Sequence, residues 1–200
     1  AYDTPGAYFS MRGFQWIDIP GTETEITKLR DDVFSEAPPY VLKGPEASER
    51  NIKRLSESGR LRTFNIVHLA CHGYFDNAIP AMSSVVLSEV SGLLESNRDD
   101  GYLTIPEIAL LDLNANMVML SACETGLAKT IRGDGMIGLT RSFIVAGAKN
   151  VGVSLWSVDD EATAEFMVRL YHYVVKQGLS YPEAYTAVKK EFRRDSRWSH

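Results

Sequence analysis

Two apolar runs, each closed by a polar cluster, constrain this chain more than any other feature. Phe64-Asn65-Ile66-Val67-His68-Leu69-Ala70-Cys71 is apolar almost throughout and runs into His72-Gly73. Met117-Val118-Met119-Leu120-Ser121-Ala122 repeats the pattern and runs into Cys123-Glu124-Thr125-Gly126. Runs of this kind, without polar alternation, mark strands covered on both faces. A third, from Asn150 to Leu155, ends at Trp156-Ser157-Val158-Asp159-Asp160.

Helical patterns separate these strands. Glu23 to Phe34 places Ile26, Leu29 and Val33 on one face, and Pro38-Pro39 stops it. Ala47 to Ser58 is a second helix, ending near Gly59. Thr104 caps a helix that begins at Pro106. Asp134 to Ala146 is helical, with Ile137, Phe143 and Ile144 as core candidates and Gly147 as its stop. A long helix from Asp159 to Lys176 and another from Ser180 to about Arg194 complete the pattern. Shorter extended pieces are expected at Phe14 to Ile19, Tyr40 to Leu42, Val85 to Leu87 and Tyr102-Leu103. Alternating strands and helices predict an α/β sandwich with a largely parallel sheet. In such sheets the ligand crevice lies beyond the carboxyl ends of the strands, so the three polar clusters are expected at one rim.

Composition narrows the class. With 44% hydrophobic and 24% charged residues over 200 positions, the chain has enough apolar matter for one substantial core. The net charge of −5 arises in residues 1–100, which carry 10 Lys/Arg against 15 Asp/Glu; residues 101–200 are balanced. No basic stripe marks a nucleic-acid partner, and no apolar run approaches the roughly 20 residues a membrane span requires. Two cysteines point to a reducing compartment, read here as the cytoplasm. A chain that starts at Ala1 rather than Met reads as a piece of a longer protein.

The chemistry lies in the clusters. Cys123 follows a buried strand and precedes a Gly-rich stretch, so it is either a rim nucleophile or an inert packed thiol. His72 is its natural partner, or a histidine satisfied by backbone. Gly73 permits a close backbone approach, useful where an N–H must face a substrate oxygen. Strand alternation sets Cys71 on the face opposite His68 and His72, and both Cys71 and His68 read as packing. That alternation also makes a zinc site from His68, Cys71, His72 and Cys123 awkward, and no metal or other cofactor is expected.

Four motifs resemble a known family. They are His-Leu-Ala-Cys-His-Gly-Tyr-Phe-Asp (68–76), Gly-Tyr-Leu-Thr-Ile-Pro-Glu-Ile (101–108), Leu-Ser-Ala-Cys-Glu-Thr-Gly (120–126) and Ser-Leu-Trp-Ser-Val-Asp-Asp-Glu-Ala-Thr (154–163). In this order they resemble the CHAT domain, a caspase-like domain of the separase and gingipain group, often attached to tetratricopeptide repeats in bacteria. The resemblance runs from about residue 45 to 193. It implies a peptidase domain over 41–200, with residues 1–40 as its upstream part or a link to other segments.

The resemblance implies a three-layer caspase-like α/β/α sandwich and a cysteine endopeptidase. Cys123 would be the nucleophile and His72 the acid–base partner, with the backbone N–H groups of Gly73 and Cys123 holding the oxyanion. Trp156 and Ser157 would line the pocket for the residue before the cut. Asp159 and Asp160 would supply an acid that selects Arg or Lys there. Ser121 stands where caspases carry Gln, so caspase preference for Asp does not transfer. The partners implied are a protein or peptide substrate and a tetratricopeptide-repeat or other regulatory segment outside these residues. The competing expectation is a latent or inactive caspase-like interaction module.

Overall fold

The structure is a computed structural model that describes residues 16, 18–76, 78–88, 99–121, 123–124, 134–154 and 160–198. In chain order the helices and strands are α1 (Pro20–Lys28), α2 (Glu49–Glu57), β1 (Ile66–Leu69), β2 (His72–Tyr74), β3 (Ser84–Val86), β4 (Tyr102–Thr104), α3 (Ile105–Ala109), β5 (Met117–Leu120), β6 (Cys123–Glu124), α4 (Asp134–Val145), β7 (Val151–Val153), α5 (Asp160–Tyr171) and α6 (Tyr181–Arg194). A wider turn, Leu29–Val33, continues α1, and another, His172–Lys176, continues α5. The chain divides into two compact units, residues 1–17 with 42–157 and residues 18–41 with 158–200.

The first unit holds the sheets. Among the described residues, β1, β5 and β7 form a parallel sheet with β5 in the middle. Period-two alternation sends Val67 and Leu69 of β1, Val118 and Leu120 of β5, and Val151 and Val153 of β7 to one face. There they join a core with Ile52 and Leu55 of α2, Ile108 of α3, and Leu139 and Phe143 of α4. Met117 and Met119 alternate to the other face of β5 and are buried too. Both faces are therefore out of water, as the unbroken apolar run implies. Gly152 of β7 leaves room for this packing: a Cβ there would lie 2.7 Å from the Met119 Sδ, so the Met119 side chain would have to shift. The second sheet has the order β4-β3-β2-β6, with β2 antiparallel to β3 and parallel to β6. The result is the α/β class, with a mainly parallel sheet at its centre.

Helix starts follow local chemistry. Ser48 caps α2, its hydroxyl accepting from the Asn51 N–H at 3.4 Å. Thr104 and Glu107 form a reciprocal capping box on α3, as do Ser180 and Glu183 on α6. Such caps satisfy N–H groups that have no partner within the helix.

The second unit packs α1 along α5. Phe34 meets the fully buried Tyr171 at a ring separation of 5.7 Å. Burial pushes the Tyr171 hydroxyl well above its ordinary pKa. Arg169 bridges α5 to α6 by pairing with Glu165 at 2.7 Å and Glu191 at 3.2 Å. No helix among the described residues is long and apolar enough to cross a membrane.

Several local expectations shift. The first apolar run is not one strand; β1 ends at Leu69 and His72 opens β2 in the other sheet. Tyr40 to Leu42 joins no strand. Of the Phe14 to Ile19 segment, Phe14, Gln15 and Ile17 lie outside the described residues. Phe143 is buried in the core, but Ile137 and Ile144 are 57% and 47% exposed. The reason is helical phase. Leu139, Phe143 and Ala146 fall at i, i+4 and i+7, and Ile137 and Ile144, seven apart, share a different face.

Candidate active site

The two polar clusters meet through strand register. Ile66 lies opposite Met117 in the β1–β5 ladder, and His72 lies opposite Cys123 in the β2–β6 ladder. Both pairs are offset by 51 residues (117 less 66, and 123 less 72). The two chain paths thus leave one sheet and enter the next without slipping. The Ser121 N–H donates to the Leu69 carbonyl at 3.0 Å and carries the ladder across the gap. Neighbouring strands sit about 4.8 Å apart, so the backbones of His72 and Cys123 are side by side. Gly73 pairs with Glu124 one step further on. His72 is buried, and Cys71 packs against the same core as Val67 and Leu69.

A row of residues extends this register. His72 lies opposite Val86 of β3, and Val86 lies opposite Tyr102 of β4. Residues directly opposite each other share a sheet face. Trp16 lies on this row. Its ring is 5.1 Å from His72 and tilted by 36°, and its indole N–H donates to the Tyr102 hydroxyl at 2.8 Å.

The chain beyond β2 is tied down by Asp76, itself buried. One carboxylate oxygen accepts the Tyr74 hydroxyl at 2.9 Å; the other accepts the N–H groups of Ala78 and Ile79 at 2.8 and 2.9 Å. The Asp76 N–H donates to the Ser83 hydroxyl at 2.9 Å. The first turn of α4 presses on this knot. A Cβ on Gly135 would lie 2.6 Å from the Ser83 Oγ and 3.2 Å from the Asp76 carbonyl. Asp76 therefore fixes the loop that follows His72-Gly73.

A charged cluster braces the start of β4. The Glu49 carboxyl group accepts the Gly101 N–H at 2.9 Å and lies 2.5 Å from the Lys53 ammonium. Lys53 also reaches Glu107 at 2.9 Å and Asp99 at 3.5 Å. Burial pushes the Glu49 carboxyl up from its ordinary 4.5 to about 8, against the pull of the Lys53 hydrogen bond and with help from the Glu107 charge. Burial also opposes the Glu107 charge, but the Thr104 hydroxyl and N–H, together with Lys53, outweigh it and hold Glu107 below its ordinary value.

The sign of the resulting pH dependence follows from Glu49. Between 4.5 and about 8 the folded chain holds this proton and the unfolded chain does not. Stability is then present at the acid end of that window and falls as pH rises through it. The loss is about 1.4 kcal/mol for each pKa unit by which folded and unfolded chains differ. Urea unfolding at pH 5 and pH 8 is expected to show this loss in the wild type and a flatter profile in Glu49→Gln. Equal slopes in the two chains would remove Glu49 as the source.

The structure places the residues named from sequence unevenly. His72 and Gly73 sit on β2, and Cys123 on β6 in register with His72. Asp160 opens α5 in the second unit. Trp156, Ser157 and Asp159 lie outside the described residues. Sequence reasoning passed over Trp16, Tyr102 and Asp76 as parts of the His72 surroundings. Asp76 closes the motif that begins at His68, which was a usable signal. Nothing in the sequence ties Trp16 or Tyr102 to a histidine so distant in the chain.

The CHAT domain family model matches residues 5–200. Tetratricopeptide repeat protein 28 of Mus musculus is 32% identical over 102 residues, which cover 48% of this chain and 4% of that protein. Its counterpart in Homo sapiens is 33% identical over 102 residues, with the same shares. The chain thus corresponds to a small part of these relatives. The match over nearly the whole length, on an α/β frame whose register pairs the His-Gly strand with the Cys-Glu strand, carries the conclusion that this chain belongs to the CHAT domain family, a caspase-like domain related to peptidases.

Proposed function

We propose that the chain is a cysteine endopeptidase working through His72 and Cys123. The observation that carries this reading is the register of β2 and β6, which sets the two residues opposite each other on neighbouring strands. Attack on a carbonyl and protonation of its leaving amine must occur on one substrate, so nucleophile and acid have to lie this close. Cys123 adds through its thiolate to the scissile carbonyl, and the carbonyl electrons move to oxygen. Backbone N–H groups of Gly73 and Cys123 stabilise that oxyanion. His72 gives its proton to the departing amine, then draws one from water to release the acyl group.

Trp156 and Ser157 wall the pocket for the residue before the cut. Asp159 or Asp160 pairs with a basic side chain there, because a carboxylate favours a guanidinium through charge-assisted bonds. The substrate is a protein or peptide, cut in the cytoplasm, with no role for nucleic acid or membrane. A tetratricopeptide-repeat or other regulatory segment governs access, in line with the repeats in the names of both relatives. These relatives are mammalian, and a bacterial setting rests on the motif resemblance alone.

Two measurements test this. A peptidyl chloromethyl ketone ending in Arg is expected to label Cys123 far faster than a model thiol, and a peptide library is expected to be cut after Arg or Lys. Preference for Asp or a bulky apolar residue overturns the basic pocket. Labelling no faster than the model thiol favours the interaction-module reading instead.

A further inference from the structure

We infer that Trp16, fixed by Tyr102, is the positioning residue for the His72 imidazole. This inference rests on the dyad reading above. The geometry comes from one row across the second sheet. Cys123, His72, Val86 and Tyr102 occupy matching positions on β6, β2, β3 and β4. Strand β2 lies between β6 and β3, so the Cys123 backbone is on one side of His72 and the Val86–Tyr102 side is on the other. Trp16 comes from that second side. It packs against the cluster of Tyr74 and Val86 and against Tyr102, and its ring reaches His72 at 5.1 Å.

Each part of this contact has a physical role. The imidazole turns about two side-chain torsions, and the outer one is broad, so a strand position alone does not set the ring plane. A neighbouring aromatic at 4.5–7 Å, tilted or offset, does restrict it. The indole itself would be free to slide if only apolar contacts held it. The 2.8 Å hydrogen bond to the Tyr102 hydroxyl removes that freedom, and the Tyr102 ring lies 6.4 Å from the Trp16 ring. Tyr102 is in turn anchored through its N–H, which donates to the Asp100 carboxylate at 3.0 Å. A general acid held within tenths of an ångström of its working position is faster than one that samples several, and a misplacement of about 1 Å can cost about 100-fold.

The test compares Trp16→Leu, Trp16→Phe and Tyr102→Phe with the wild type. Three quantities are read: kcat and KM on an Arg-ending peptide, the thermal midpoint, and the His72 ring-proton resonance with labelled histidine. Trp16→Leu is expected to lower kcat by about 10- to 100-fold with KM changed less than about threefold. Trp16→Phe, which keeps a ring over His72, is expected to recover most of that loss. Tyr102→Phe is expected to fall between them. The His72 resonance, shifted by the indole ring current in the wild type, should move toward that of a free histidine in Trp16→Leu. Unchanged kcat in Trp16→Leu overturns the inference. So does a kcat loss that follows the thermal midpoint equally in the Phe and Leu variants, since that marks folding rather than positioning. A wild type that cuts no peptide removes the peptidase reading by itself. The resonance then decides the positioning: a His72 signal that moves in Trp16→Leu and stays in Trp16→Phe upholds it, and a signal that stays in both overturns it.

Discussion

Cys123→Ala is expected to lower peptide hydrolysis by about 10⁴-fold or more, the scale seen when a covalent nucleophile is removed from a peptidase. His72→Ala is expected to cost about 10²- to 10⁴-fold, the usual share of a positioned acid–base group. The double variant should be no slower than Cys123→Ala alone. In the proposed mechanism every step that uses His72 depends on the thioester route opened by Cys123, so once that route is closed the second loss has nothing left to slow. Single-turnover rates on a basic peptide measure all three. Retained cleavage in Cys123→Ala would remove the nucleophile assignment, and additive losses would mean that the two residues act separately. Cys71→Ala is the control. Cys71 packs against the core beside Val67 and Leu69, so its loss is expected to lower stability and leave the rate within a few-fold.

The largest stability effect is expected away from the dyad, at Gly147→Ala. Gly147 closes α4 with a φ of +113°, a region side chains rarely adopt. The Ala148 N–H donates to the Phe143 carbonyl at 3.0 Å and the Gly147 N–H to the Ile144 carbonyl at 3.1 Å, the paired bonds of a glycine-terminated helix. A Cβ there would stand 2.2 Å from the Leu113 carbonyl oxygen, which is backbone and cannot rotate away. That backbone is held in place, since the Leu113 N–H donates to the Ala146 carbonyl at 2.8 Å. Strain and clash together should cost about 3 kcal/mol or more. In a domain of this size that is roughly 6–12 °C in thermal midpoint. Gly178→Ala separates the two causes. Gly178 has a φ of +71° but open space around its Cα, so its variant should lose only about 1–2 kcal/mol. Equal losses at the two sites would show that the Leu113 contact relaxes at no cost.

How much of this was legible in the sequence differs from residue to residue. The buried strands were, because both faces of β5 exclude water and the residues there are apolar without alternation. So were the helix starts at Thr104 and Ser180, because caps act within three residues. The offset of 51 between His72 and Cys123 was present in the numbering, and it is also the register of the ladder. The wrong faces assigned to Ile137 and Ile144 came from the same short-range logic. An apolar side chain on a helix does not say which of two faces its neighbours will cover.

The sequence by itself determined the α/β class, the two runs that become β1 and β5, and the polar residues at their ends. Those follow from hydrophobicity, period and capping, which are local quantities. Only the tertiary structure decided that both runs break and continue into a second sheet, that β3 and β4 line up Val86 and Tyr102 beside His72, and that Trp16 lies across that row. It alone decided which glycines are indispensable. Gly147 meets a backbone oxygen from a distant segment and Gly178 meets nothing, although both have positive φ. Contacts of this kind depend on which strands pair and in what register, and that is fixed by packing the whole core rather than by any window of the chain.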